Sequence, residues 1–123
     1  PYKGFVYTFD ETKDIAWLYL VSDMLITDYS SVMFDYSILN RPMLFFAYDL
    51  EDYKENLRGF YFDFVNDIPG PISRDTDQLI KDIKEYNEDS WKEKYKNYHD
   101  KFNGIDDGHA SQKVIDVIKK VSR

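Results

Sequence analysis

Ser30 and Ser31 are the residues whose type and position best suit the binding of an anionic ligand. They follow Thr27 and Asp28, which come at the end of the mostly apolar run of residues 24–27. Where a strand passes into a helix, the free N–H groups of the first helical turn and nearby hydroxyls can hold a phosphate without a basic residue. The alternative is that one of the serines only caps the helix.

A second candidate site precedes the last predicted helix, at Gly108, His109 and Ser111. Small residues let a ligand approach the backbone, and the Ser111 hydroxyl could contact an anion or simply cap the helix. His109 could touch a substrate at this rim. The only other histidine, His99, does not form a metal-binding spacing with it, so no metal site is predicted.

The charge of the chain limits how it can bind an anion. The formal net charge is −7, which weighs against a nucleic-acid partner and against a broad electrostatic grip on anionic lipid. An anionic ligand must therefore be held locally by a few placed groups. The sequence has no cysteine, which removes disulfides and thiol catalysis, and no apolar run approaches the roughly 18 residues of a transmembrane segment.

The first 47 residues are predicted to alternate between strands and helices. The predicted strands are residues 5–9, 24–27 and 43–47, and the predicted helices between them are residues 12–22 and 30–39. The last two strands are apolar without alternation, as in a parallel sheet buried on both faces. The pattern therefore predicts an α/β fold with a parallel sheet.

The rest of the chain is predicted to be irregular first and helical later. Residues 48–74 are expected to form an irregular excursion over the carboxyl edge of the sheet, with one helical turn at residues 51–55. Three helices should follow: one capped by Asp75 with Gln78, one capped by Ser90 with Glu93, and one containing an apolar stripe over residues 114–121. A doubly wound sheet normally has more than three strands and the chain lacks an initiator Met, so a piece of a longer protein is expected.

Several blocks of the sequence resemble the CDP-glycerol glycerophosphotransferase family. Residues 22–36, S-D-M-L-I-T-D-Y-S-S-V-M-F-D-Y, resemble its signature. The blocks at residues 41–50, 58–63, 69–71 and 107–114 follow in the expected order and with matching gaps. The resemblance implies a two-lobed GT-B architecture, in which residues 1–123 form the Rossmann-like, donor-nucleotide-binding C-terminal lobe, a partial doubly wound parallel sheet with extra C-terminal helices.

The resemblance also implies a reaction. Members of the family build teichoic acid in Gram-positive bacteria by moving glycerol phosphate or ribitol phosphate from CDP-glycerol or CDP-ribitol to a growing lipid-linked chain, with release of CMP. No cofactor is implied. The full-length enzyme would be cytoplasmic and peripheral at the inner face of the plasma membrane.

The resemblance assigns roles to particular residues. Ser30 and Ser31 would bind the donor phosphates, and Thr27 and Asp28 would shape the turn. Less directly, the donor cleft would be lined by Arg58, Gly59, Gly108, His109 and Ser111. Arg58 could meet the diphosphate or could be an ordinary surface arginine.

Two features depart from the family pattern. The family's catalytic histidines, including one followed by proline, lie upstream of the matched region, so no catalytic residue is predicted here and the fragment is expected to be inactive alone. Lys113 stands where the family more often has arginine. The alternatives are the lobe of another GT-B glycosyltransferase that uses a nucleotide sugar, or a non-catalytic α/β interaction module.

Overall fold

The structure of the chain, a computed structural model, describes residues 2–9, 12–52 and 61–122. Its centre is a parallel sheet of three short strands: β1 (Leu25–Thr27), β2 (Met43–Phe46) and β3 (Ile72–Ser73). The strands lie in the order β1-β2-β3, so β2 is the central strand of this sheet. Thr27 is aligned with Phe45, which is aligned in turn with Ile72.

Helices connect and follow the strands. They are α1 (Ala16–Val21), α2 (Val32–Ser37), α3 (Leu50–Asp52), α4 (Phe64–Asp67), α5 (Thr76–Lys84), α6 (Glu88–Phe102) and α7 (Ala110–Val121). The parallel strands with helical connections confirm the predicted α/β class, including the closing helices. None of the helices in the described ranges is long and apolar enough to span a membrane.

The prediction of a strand at residues 5–9 is wrong. This segment consists of a turn and irregular backbone, and the side chains of Phe5 and Tyr7 are 85% and 80% exposed. Within the described sheet, β1 has β2 as its only hydrogen-bonded neighbour. A run of strand-forming residues that has no partner leaves its backbone groups without a ladder, so propensity alone does not make it a strand.

The segment predicted to be irregular, residues 48–74, contains two elements that the sequence did not reveal. One is the single-turn helix α4, capped by Asp63, whose carboxylate accepts a hydrogen bond from the Asn66 amide. The other is β3, whose two residues follow Pro71. Strand β3 exists because β2 supplies its hydrogen bonds: the Phe45 amide donates to the Pro71 carbonyl and the Ala47 amide to the Ser73 carbonyl, both at 2.9 Å.

The two predicted helix caps have different outcomes. Asp75 caps α5 as predicted, since its Oδ1 accepts from the Gln78 amide at 2.8 Å. The cap at Ser90 is wrong, because α6 begins at Glu88 and Asn87 is its cap. Asparagine is a strong cap, and the acidic residues that follow it suit the positive end of the helix dipole.

Aromatic rings form much of the core between the sheet, α2 and α6. Tyr98 stacks on Phe34 with ring centroids 5.8 Å apart, and Phe102 meets Phe34 edge-on at 5.1 Å. On the same face of α6, the Tyr95 hydroxyl accepts a hydrogen bond from the Met43 amide, at the start of β2. Helix α6 is therefore held to both α2 and the sheet by aromatic side chains.

Arg41 fixes the opposite, amino-terminal edge of the sheet. Its Nη1 donates to the carbonyls of three residues at the end of α1, at 3.3, 2.9 and 2.7 Å: Tyr19, Leu20 and Ser22. The last carbonyls of a helix have no partner within the helix, and a cation is favoured there by the helix dipole. Arg41 therefore joins α1 to the segment that leads into β2.

Replacing Arg41 by glutamine is expected to lower the free energy of unfolding by about 1–3 kcal/mol, because partly buried carbonyls lose a charged donor. Urea-induced unfolding of the full-length protein measures this. Lys84→Gln is the matched control, since Lys84 is exposed and its side chain makes no hydrogen bond or ion pair within the described part of the chain. Equal unfolding midpoints for the two variants would contradict the role of Arg41.

Candidate functional site

The three parallel strands end at the same edge of the sheet. Asp28 follows β1, Ala47 follows β2 and Arg74 follows β3. In open parallel sheets, ligands bind beyond these carboxyl ends. The predicted residues Thr27, Asp28, Ser30 and Ser31 therefore lie on the edge where sheet topology expects a ligand.

The turn between β1 and α2 is held by Asp28. Its Oδ1 accepts a hydrogen bond from the Ser30 amide at 2.8 Å, which fixes the turn. This amide is thus already bonded and is not available to a ligand. The predicted phosphate-binding turn therefore has one free backbone N–H group fewer than expected. A phosphate bound there would depend more on the serine hydroxyls.

Ser30 and Ser31 lie at the surface of the protein. Both residues are exposed, and within the described ranges neither hydroxyl has a hydrogen-bond partner. Ser31 stands at the cap position of α2 with helical backbone angles (φ −60°, ψ −12°) and makes no side-chain cap bond. The simple capping role, the alternative interpretation of these serines, is not the one seen here.

A contact that the sequence did not reveal joins the ends of β1 and β2. The Tyr29 hydroxyl donates to Asp49 Oδ1 at 2.6 Å, and the Tyr29 ring meets Phe64 edge-on at 5.6 Å. Burial, followed by the hydrogen bond to Asp49, raises the pKa of the Tyr29 phenol. The phenol therefore stays protonated and serves as a donor, which fixes the loop after β2 beside the Ser30 turn.

The carboxyl edge of the sheet also has a cation, Arg74, that the sequence did not predict. Arg74 follows β3 directly, and its Nη2 lies 3.1 Å from Glu51 Oε1 on α3. The only signal in the sequence is a basic residue after an Ile-Ser pair, which is too short to predict a strand. The Arg74–Glu51 ion pair connects the end of β3 to α3.

The second predicted group of site residues, Gly108, His109 and Ser111, lies at the start of α7. Its hydrogen bonds and ion pairs do not involve the turn that carries Ser30 and Ser31. Gly108 has a left-handed backbone (φ +77°), and Asp107 binds both the His109 amide at 3.0 Å and Lys113 Nζ at 2.9 Å. The Lys113 hydrogen bond, and then the His109 amide, lower the pKa of Asp107. No hydrogen bond or ion pair in the described chain joins residues 108–111 to residues 27–31.

The remaining residues to consider at the site are Arg58, Gly59 and any side chains that could bind a metal ion. Arg58 and Gly59 lie outside the described residues. Within the described ranges, no group of three or more histidine and acidic side chains is placed to hold a metal ion.

A groove of about 630 Å³ is lined by Asn40, Tyr95 and His99 among others. It lies on the side of Asn40, which precedes β2, and so away from the carboxyl edge.

A parallel sheet with helical connections and a polar carboxyl edge defines the class of α/β proteins that bind ligands beyond their strand ends. Within that class, the chain belongs to the CDP-Glycerol:Poly(glycerophosphate) glycerophosphotransferase family, whose model matches residues 1–120. The family resemblance of the sequence blocks is thereby confirmed.

Similar proteins include polymerases of two kinds. A teichoic acid poly(glycerol phosphate) polymerase of Bacillus subtilis (strain 168) is 46% identical over 122 residues, which are 98% of this chain and 16% of that protein. A teichoic acid poly(ribitol-phosphate) polymerase of Bacillus spizizenii (strain W23) is 44% identical, over 95% of this chain and 18% of that protein. The chain therefore spans only about a sixth of the length of these two relatives.

Solved structures agree with the fold. The wall teichoic acid polymerase TagF superposes with a TM-score of 0.82 at 45% identity, over 97% of this chain and 30% of that chain. A TagF variant soaked with CDPG gives a TM-score of 0.83 at 45% identity, with the same coverage. The GT-B type of fold expected from the resemblance is thus confirmed at the level of this domain.

Proposed function

We propose that the full-length protein transfers glycerol phosphate or ribitol phosphate from a CDP-alditol to a growing teichoic acid chain, and that residues 1–123 bind the donor. Family membership supports the reaction class, and the soak of TagF with CDPG supports the donor. The observation that carries the proposal is the pair of exposed, unbonded hydroxyls of Ser30 and Ser31 at the carboxyl edge of the sheet.

The chemistry is a displacement at phosphorus. The acceptor hydroxyl oxygen forms a bond to the phosphorus of the polyol phosphate while the bond to the bridging oxygen breaks. CMP leaves with that electron pair, and the proton of the acceptor hydroxyl passes to a base. Such a reaction depends mainly on positioning and on stabilising charge at the phosphoryl oxygens.

The proposed roles follow the geometry of the turn. Ser30 and Ser31 donate hydrogen bonds from their hydroxyls to donor phosphate oxygens, while Asp28 holds the turn through the Ser30 amide. Thr27 ends the strand that presents them. A wider donor cleft would add Arg58 and Gly59 together with the residues at the start of α7: Gly108, His109 and Ser111.

Place and partners are proposed from the same family membership. The acceptor is a lipid-linked teichoic acid, so the full-length protein acts at the inner face of the plasma membrane. The relatives include both glycerol-phosphate and ribitol-phosphate enzymes, and either polyol fits the proposal.

Ligand-dependent stability tests the proposed donor. A ligand at about 100 times its Kd stabilises a folded protein by about 2.7 kcal/mol. CDP-glycerol or CDP-ribitol, and to a smaller extent CMP, should therefore raise the thermal midpoint of the full-length protein, whereas UDP-glucose should not. A shift with UDP-glucose alone would favour a nucleotide-sugar glycosyltransferase. No shift with any nucleotide would favour an interaction module.

A further inference from the structure

Arg74 occupies a defined place on the carboxyl edge. Ser73 is aligned with Phe46, so Arg74 is level with Ala47, and the bond from the Ala47 amide to the Ser73 carbonyl (2.9 Å) holds this register. Since β1 lies on the other side of β2, Arg74 is two strand spacings, about 10 Å, from the turn that carries the serines. An extended arginine and a diphosphate together can bridge this distance.

The edge around Arg74 is acidic. The segments that directly follow the strands contain several carboxylates: Asp28, Asp49, Glu51, Asp52 and Asp75. In the described parts of these segments, residues 28–31, 47–52 and 74–75, Arg74 is the only lysine or arginine. An anionic donor that approaches this edge therefore needs a compensating cation, and Arg74 is placed to provide it.

The present partner of Arg74 is easily exchanged. The contact to Glu51 is a single one of 3.1 Å, and the two side chains are 53% and 63% exposed. Exposed ion pairs of this kind contribute little to stability. In contrast, Arg41 is bound to three carbonyls at the opposite edge.

We propose that Arg74 binds the diphosphate of the donor, exchanging the Glu51 carboxylate for phosphate oxygens. Glu51 holds the guanidinium beside the sheet edge until the donor arrives. The planar guanidinium can then contact two phosphate oxygens at once, which a lysine ammonium cannot do. This inference rests on the proposed function and adds a diphosphate-binding cation to the same site.

Binding of three probes to the full-length protein tests it: CDP-glycerol, CMP and cytidine. Arg74→Ala is expected to weaken binding of CDP-glycerol by about tenfold or more, and to leave the much weaker binding of cytidine unchanged, because charge-assisted bonds to phosphate are lost. Arg74→Lys should be intermediate. Lys81→Ala, an exposed change on the neighbouring helix α5, is the matched control and should bind all three probes as the unmodified protein does.

The Glu51→Gln variant tests the same proposal without changing the arginine. Removing the competing carboxylate should leave CDP-glycerol affinity unchanged or raise it by a few fold. Equal CDP-glycerol affinity of Arg74→Ala and the unmodified protein would overturn the role of Arg74 while leaving the proposed function standing. If the unmodified protein does not bind CDP-glycerol, the proposed function fails and this inference fails with it.

Discussion

Replacing Ser30 and Ser31 together by alanine should lower kcat/KM of the full-length protein by about a hundredfold or more, since donors aimed at developing charge contribute about 3 kcal/mol or more. Neither hydroxyl bonds to another described residue, and both residues are exposed, so the fold should be unaffected. The rate of CMP release from CDP-glycerol measures the first effect, and the thermal midpoint measures the second.

Two further variants make this result specific. Ser90→Ala, an exposed serine of α6 without a side-chain bond to another described residue, should leave the rate unchanged. Ser111→Ala asks whether the start of α7 contributes to the same cleft, and any loss there should be smaller than in the double variant. Unchanged turnover in the double variant, with its thermal midpoint preserved, would exclude the serine turn as the phosphate site.

The structure also indicates how an acidic edge can accept an anion. Two carboxylates beside the strand ends already have a donor within the fold: the Ser30 amide for Asp28 and the Tyr29 phenol for Asp49. A carboxylate with a donor repels a neighbouring phosphate less than a free one. Local pairing thus makes a diphosphate site compatible with a net charge of −7.

The elements that the sequence predicted are those with a strong local signal. Strand β2 is a continuous apolar run, β1 lies in a mostly apolar one, and α2 ends before Pro42, which cannot extend a helix. Strand β3 has only two residues after a Pro-Gly-Pro turn, and its existence depends on hydrogen bonds from Phe45 and Ala47. Such pairing depends on residues about 26 positions apart in the chain, which no local pattern expresses.

The residues of the candidate site also fall into two groups: those that a local sequence pattern predicts and those whose roles depend on how the strands align. Ser30 and Ser31 were predicted because hydroxyls at a strand-to-helix junction are a local pattern. The Tyr29–Asp49 bond joins residues 20 positions apart, and the place of Arg74 on the edge follows from the register of β3. The missed residues are thus those whose roles arise only when neighbouring strands align.

The largest expected effect on stability comes from Gly70, in the Pro-Gly-Pro turn that leads into β3. A Cβ built at Gly70 would lie 1.9 Å from the carbonyl oxygen of Met43 and 2.9 Å from its carbonyl carbon, both on the backbone of β2. The residue is buried, so the turn would have to move away from the central strand. That movement would disturb the adjacent bond from the Phe45 amide to the Pro71 carbonyl, which begins the pairing of β3.

Gly70→Ala should therefore lower the free energy of unfolding by about 3 kcal/mol, at the upper end of the usual range for overpacking a core. The midpoint of urea-induced unfolding of the full-length protein measures this. Gly4→Ala is the matched control: a Cβ there meets nothing within 4 Å, and only its positive φ of 85° costs energy, about 1 kcal/mol. If Gly70→Ala were no less stable than Gly4→Ala, the close approach of this turn to β2 would not be what makes glycine necessary between the two prolines.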